Sequence, residues 1–278
     1  MVKRSTHGKN PGANDQPLTA KAVSEWLNRG AYLARLSLVP FAVQMPPFRE
    51  KERRDPFATP PYVIASLAGL ALLTRIARRP EPGRFDIATT RALQSQHSAG
   101  VAPFMSLISA PGFAPLQHVL TIGASMDFWA FGHKREAVFL MLTMGAGAIA
   151  GVIKIAVGRP RPADAFVKAH FSFKDNSFPS GHCAHYASFY GYLIYLTRRG
   201  MAPSRFRTSL LVLFTGLIVT VGPSRVYLGH HWFSDVIAGN LLGLTYASFL
   251  ITAYETVFVR QSSAGALGQH VSSTEEQL

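Results

Sequence analysis

Six stretches of this chain are long and apolar enough to occupy a hydrocarbon slab of roughly 30 Å, and placing them leaves little freedom in the fold. They fall at about 61–77, 114–132, 137–157, 182–197, 208–223 and 234–258. The third, fifth and sixth are the strongest. The second contains His118 and Asp127, and the fourth opens on His182 and is rich in Ser, Tyr and Gly, so both are expected to face protein instead of lipid. Gly145, Ala146, Gly147, Ala148, Ala150 and Gly151 let the third approach a neighbour closely. With 48% hydrophobic residues against 15% charged, an ordinary soluble surface is excluded. The expected fold is all-α, a six-transmembrane helix bundle with an amphipathic N-terminal interfacial helix.

The segments around these windows read differently. Residues 1–19 and 259–278 are polar and Ser/Gly-rich, predicting disordered tails, and residues 1–19 offer no apolar core for a cleaved leader. Residues 20–60 combine helical periodicity over Ala20–Gln44, broken by Glu25, Arg29 and Arg35, with a charged run from Arg49 to Asp55. That pattern predicts an interfacial helix followed by a headgroup-facing loop. Residues 61–258 then form the six-helix domain, in which D-I-A-T-T-R-A-L-Q within 80–113 predicts a short amphipathic helix over the membrane face.

Net charge is +13, but the basic residues cluster beside apolar runs and do not interleave with aromatics in one stripe. Lipid bilayer and phosphate are therefore the expected partners, with no nucleic acid. A single cysteine, Cys183, excludes an intrachain disulfide and is expected to pack as a small core residue. Lys134, Arg135, Arg198, Arg199, Arg205 and Arg207 fall in loops on the side shared by both termini, which makes that side cytoplasmic. Arg75, Arg78, Arg79 and Arg84 lie on the other side and run against this assignment.

On this topology three polar blocks meet at one end of the bundle. The first is Lys154, six residues, then Arg161-Pro162; the second is Pro179-Ser180-Gly181-His182. The third is Ser224-Arg225, five residues, His231, three residues, Asp235. If the chain is helical from His231 onward, His231 and Asp235 share a face, and the carboxylate holds the imidazole in one tautomer and raises its basicity. Burying such a cluster beside Ile237–Phe258 is costly without a function.

These blocks resemble the signature of the type 2 phosphatidic acid phosphatases, K-x6-R-P, P-S-G-H and S-R-x5-H-x3-D, with every specified position met. The resemblance covers about Tyr62 to Phe258 and implies an integral-membrane lipid phosphatase working through a phosphohistidine. His231 would attack phosphorus, Asp235 would orient it, and His182 would protonate the leaving oxygen and then activate water. Lys154, Arg161 and Arg225, with Ser180 and Gly181 at a helix N-terminus, would bind the phosphate oxygens, where charge spreads in the transition state. No cofactor is expected, since cationic side chains do the neutralising.

Other readings stand beside these. His182, His185, His230 and His231 at helical spacing are an alternative metal set, disfavoured by the surrounding cations. His185 and His230 have no slot in the signature and are expected to be structural, as are His118 and Asp127 in an interhelix contact. Arg159 falls off the register and is expected to contact headgroups, while Pro160 and Pro162 end the third helix. A lipid phosphotransferase using the same intermediate, a non-catalytic lipid-binding or transport protein, and a vanadate-dependent haloperoxidase are the competing functions. Undecaprenyl diphosphate, phosphatidic acid and phosphatidylglycerol phosphate are the candidate substrates, prenyl diphosphate slightly ahead. The oligomeric state is not legible.

Overall fold

The computed structural model describes residues 60–79, 81–96, 98–168 and 175–259. The expectations for the N-terminal tail, the Ala20–Gln44 helix and its basic loop, and the C-terminal tail lie outside the described residues, except that the chain is still helical at Glu255–Val259. Among the described residues the regular structure is entirely helical. In chain order these helices are α1 (Pro60–Ala77), α2 (Arg84–Gln94), α3 (Val101–Ser109), α4 (Leu116–Ala130), α5 (Lys134–Leu142), α6 (Gly145–Val157), α7 (Gly181–Gly200), α8 (Arg205–Tyr227) and α9 (Phe233–Tyr254). Each of the six apolar windows is thus helical. Among the described residues, three spans are long and apolar enough to cross a membrane: Lys134–Val157, which runs α5 into α6, Arg205–Tyr227 and Phe233–Val257.

The short helix expected at D-I-A-T-T-R-A-L-Q forms as α2, and the 80–113 segment adds a second helix, α3, followed by a 3₁₀ turn at Ala110–Gly112. Helix α2 turns Asp86, Thr90 and Gln94 inward, so its polar face packs against protein. The Gln94 side chain illustrates this, donating to the carbonyls of Lys168 and Tyr227 at 2.7 and 3.0 Å.

Helix α7 is the axis of the bundle. Its Ser, Tyr and Gly content predicted burial, and Cys183 through Tyr190 are all buried. Its ring side chains fill the core with Phe128, Leu140, Phe214, Val236 and Ile251 from four neighbouring helices. Among its buried hydroxyls, Tyr186 donates to the Ile108 carbonyl at 2.7 Å and Ser188 to that of Thr143 at 3.1 Å. Helix α9 lies close along α7 because Gly239 and Gly243 offer no Cβ. One added at Gly239 would stand 2.5 Å from the Ser180 carbonyl oxygen and 2.9 Å from Cys183 Cβ. The small residues of α6 divide their work. Ala146 and Ala150 pack against Ala184 and Leu242, whereas Gly145, Gly147 and Ala148 line a cavity.

The helix ends that surround this cavity are locally encoded. Helix α6 stops at Gly158, whose left-handed backbone (φ 68°) lets its N–H reach the Lys154 carbonyl at 3.0 Å. The prolines expected to end it come two and four residues later. Ser180 caps α7, and Asp235, at the third position of α9, accepts the Trp232 N–H at 2.8 Å.

Candidate active site

A cavity of about 640 Å³ opens between α4, α6 and α7, and Lys154, Arg161, Gly181, His182, Arg225 and His231 all line it. The three sequence blocks therefore converge. Its other wall, Gly112, Phe113, Gln117, Met144, Gly145 and Ala148, is largely apolar.

An anion already marks the centre of the cationic cluster. The Asp175 carboxylate takes Lys154 Nζ at 3.1 Å and Arg161 Nη2 at 2.7 and 2.8 Å, bridging the two cations as two oxygens of a phosphate would. Burial would raise the pKa of this carboxyl, but the Arg161 hydrogen bonds and the charges of Lys154 and Arg161 bring it down to about 2. A depressed carboxylate pKa means the bridge is complete above the ordinary value of 3.8 and is lost only as pH falls towards 2. Asp175 therefore stays charged at neutral pH and would compete with an anion entering between Lys154 and Arg161. Asp175→Asn is expected to lower the inhibition constant of inorganic phosphate by about 2- to 5-fold, the range of a half-exposed ion pair. Weaker phosphate inhibition in this variant would show instead that Asp175 holds the cations in place for the ligand.

His231 stands beside these cations, 1% exposed, with Nε2 3.3 Å from Arg161 Nη1. A guanidinium only donates, so Nε2 accepts and the ring proton sits on Nδ1, facing Asp235. Burial, then the positive charges of Arg161, Arg225 and Lys154, holds the His231 pKa well below its ordinary value, so the imidazole is neutral at physiological pH. Asp235 Oδ2 is 3.6 Å from Nδ1, which is ion-pair range and longer than a hydrogen bond. The sequence spacing predicted this proximity for a different reason. The helix starts at Phe233, so His231 precedes it, and the pair meets because Asp235 folds back over the α9 N-terminus.

Arg225 is 1% exposed, donating to Ser109 Oγ at 2.6 Å with its guanidinium 4.8 Å from the Phe113 ring centre. The same phenyl ring meets His182 edge-on at 4.5 Å. Nε2 of His182 is buried without a hydrogen bond among the described residues. Ser180 donates its backbone N–H to the Asp235 carbonyl at 3.0 Å, so its amide braces α7 against α9, while Gly181 lines the cavity. His185, expected to be structural, has its Nε2 3.5 Å from Thr121 Oγ1. His230 contributes its carbonyl, which takes Arg161 Nη1 at 2.6 Å. His118 lines the cavity instead of serving only an interhelix contact.

Arg159 corrects the sequence reading. It is 4% exposed and reaches no headgroup, because Asp235, Asp86 and Ser234 surround its guanidinium. Sequence reasoning also missed Asp86, Ser177, Asp175 and the Gly112–Phe113 wall. Alternating cations in R-P-R-P were the one available signal for Arg159. Among the described residues no group of three His, Cys, Asp or Glu side chains is placed to hold a metal ion.

Residues 136–258 match the family described as the PAP2 superfamily. The chain carries a PAP2 superfamily domain. Phosphatidylglycerophosphatase B of Bacillus subtilis (strain 168) is 32% identical over 139 residues, covering 49% of this chain and 66% of its own length. Lipid A 1-phosphatase of Rhizobium johnstonii is 34% identical over 168 residues, 58% of each chain. The chain therefore spans less than two thirds of these curated relatives. A crystal structure described as the first transmembrane PAP2 type phosphatidylglycerolphosphate phosphatase, from Bacillus subtilis, superposes with a TM-score of 0.60 at 24% identity, over 70% of this chain and 96% of that one. It has the same fold. The PAP2 domain contains every residue of the three blocks, and its spanning helices make the chain a membrane protein. Asp86 and the Gly112–Phe113 wall precede the matched region.

Proposed function

We propose that this protein is a six-span membrane phosphatase that removes phosphate from a lipid phosphomonoester or diphosphate, with its site on the extracytoplasmic side. The carrying observation is that Lys154, Arg161, Arg225, His182 and His231 share one cavity, with a carboxylate bridging Lys154 and Arg161 where a phosphate would bind. In this reading His231 Nε2 attacks phosphorus and forms a phosphohistidine, while the cations and the Gly181 end of α7 hold the oxygens. Asp235 steadies the imidazolium that forms. His182 protonates the leaving oxygen, then takes a proton from the water that cleaves the phosphorus–nitrogen bond and restores His231.

The apolar wall from Gly112 to Ala114 and from Met144 to Ala148 suits a substrate with a hydrocarbon part, and small residues there leave width for it. The relatives' names bring phosphatidylglycerol phosphate and lipid A 1-phosphate forward beside the prenyl diphosphates favoured from sequence. A non-catalytic lipid carrier has no physical need for a neutral imidazole aimed at the anion position and backed by a carboxylate.

Purified protein in detergent is expected to release inorganic phosphate from at least one of phosphatidylglycerol phosphate, lipid A 1-phosphate, phosphatidic acid and undecaprenyl diphosphate. It should act poorly on water-soluble esters. Chelator should leave the rate intact and orthovanadate should inhibit. A rate lost on chelation and restored by a divalent cation would overturn the metal-free mechanism. Transfer of phosphate to an added lipid alcohol without release would make the protein a phosphotransferase.

A further inference from the structure

A buried cluster of charges joins Arg159, Asp86 and Asp235, and the chemistry proposed above gives Arg159 and Asp86 no role. Arg159 Nη1 donates to Asp235 Oδ1 at 2.5 Å and to Ser234 Oγ at 2.7 Å, while Nη2 donates to Asp86 Oδ2 at 2.7 Å. The side chains of Arg159, Asp86 and Asp235 are 3%, 4% and 0% exposed, so these charges are compensated by one another and not by solvent. Asp86 also grips the start of α9, taking the Ser234 N–H at 2.8 Å on Oδ1 and the Ser234 hydroxyl at 2.7 Å on Oδ2. The Trp232 ring covers the guanidinium at 5.9 Å and ties itself to the Pro160 carbonyl at 3.2 Å.

The other oxygen of Asp235 faces His231. Oδ2 takes the Trp232 N–H and the Ser177 hydroxyl and stands 3.6 Å from His231 Nδ1. A carboxylate can rotate about its bond to Cβ, and one oxygen fixed by a guanidinium determines where the second one points. We infer that Arg159 and Asp86 are positioning residues for the proposed nucleophile, a buried brace that fixes the Asp235 carboxylate plane so that Oδ2 stays on the Nδ1 side of His231. This rests on the functional reading above and extends it, because Asp86 comes from α2, outside the stretch matched by the family. The sequence separations of 73 and 76 residues mean that α2, the end of α6 and the start of α9 must all dock before the imidazole is oriented. Guanidinium is required for this geometry. Its two nitrogens serve two carboxylates at once, whereas an ammonium offers a single point.

The test is a double-mutant cycle on detergent-purified full-length protein, read as kcat and KM for whichever lipid phosphate it turns over. Arg159→Lys and Asp86→Asn are each expected to lower kcat by about 10- to 100-fold with KM within about 3-fold, the cost of a misaligned reacting group. In an Asp235→Asn background the same substitutions are expected to lower kcat by less than about 3-fold further, because the group they act through is already gone. A purely structural role would multiply the losses in both backgrounds and overturn the inference. Wild-type kcat in Arg159→Lys and Asp86→Asn would overturn it as well, even with Asp235→Asn inactive. If His231→Ala and Asp235→Asn themselves keep wild-type turnover, the functional reading fails first. Protection from thermal unfolding by inorganic phosphate shows that each variant is folded with its cup intact. Should Arg159→Lys fail this check, Asp86→Asn carries the cycle, since its amide still accepts the Ser234 N–H.

Discussion

His231→Ala is expected to lower phosphate release from a lipid phosphate by more than about a thousandfold, while the detergent-extracted protein keeps a cooperative thermal transition. The expectation follows from where the ring sits. Nε2 lies 3.3 Å from an arginine that also binds the anion-mimicking Asp175, so it points at the place a phosphorus atom would occupy. Burial and neighbouring cations keep the ring unprotonated, and the Nε2 lone pair, which takes the Arg161 N–H in this structure, is released for attack when a phosphate oxygen takes over that guanidinium. Two other histidines line the cavity, His118 and His182; His118 has no slot in the sequence signature, and His182 is held edge-on against Phe113. Residual turnover within tenfold of wild type would move the nucleophile elsewhere. The fold should survive, because the Arg161 contact to this segment goes mainly to the His230 carbonyl, at 2.6 Å, and that group is unchanged.

Gly239→Val is expected to damage stability and rate together. A Cβ at this position would already stand 2.5 Å from the Ser180 carbonyl oxygen, and valine adds two methyl groups. Helices α7 and α9 must then separate, at a cost of about 1–3 kcal/mol, which thermal or denaturant unfolding would register. The separation also stretches the link from the Ser180 N–H to the Asp235 carbonyl, 3.0 Å in the native packing. That link sets the distance from the α7 N-terminus and His182 to His231. A displacement of about 1 Å there is expected to cost on the order of 100-fold in kcat. Gly239→Val with native stability and wild-type kcat would show that the close approach of these helices does not set the site geometry.

These two positions also show what the sequence makes legible. Apolar length is a local property, so each of the six windows could be recognised and each is helical. The polar composition of α7 was equally informative, since tyrosines and serines in an apolar environment demand partners that lipid lacks. The cup residues were visible because residue type and spacing repeat a known pattern, and the structure gathers them on one cavity. What could not be read were pairings between distant segments. Arg159 looks locally like one more surface cation in a basic stretch; only docking of α2 against α9 makes it a buried bridge. Asp86 sits in a short polar helix whose inward face has no sequence mark, and Asp175 in a loop segment where it and Asn176 both bond Lys154, 21 and 22 residues away. The His231–Asp235 pairing was correct in its spacing and wrong in its cause, because helix periodicity does not reveal that α9 begins two residues after the histidine.

The most direct measurement is rapid acid or base quench of the enzyme mixed with a radiolabelled lipid phosphate, followed by peptide mapping. The account predicts label bound through a base-stable, acid-labile phosphorus–nitrogen bond on the peptide carrying His231, forming no slower than turnover and absent from His231→Ala. Steady turnover with no label on that peptide, or label on any other side chain, would contradict it.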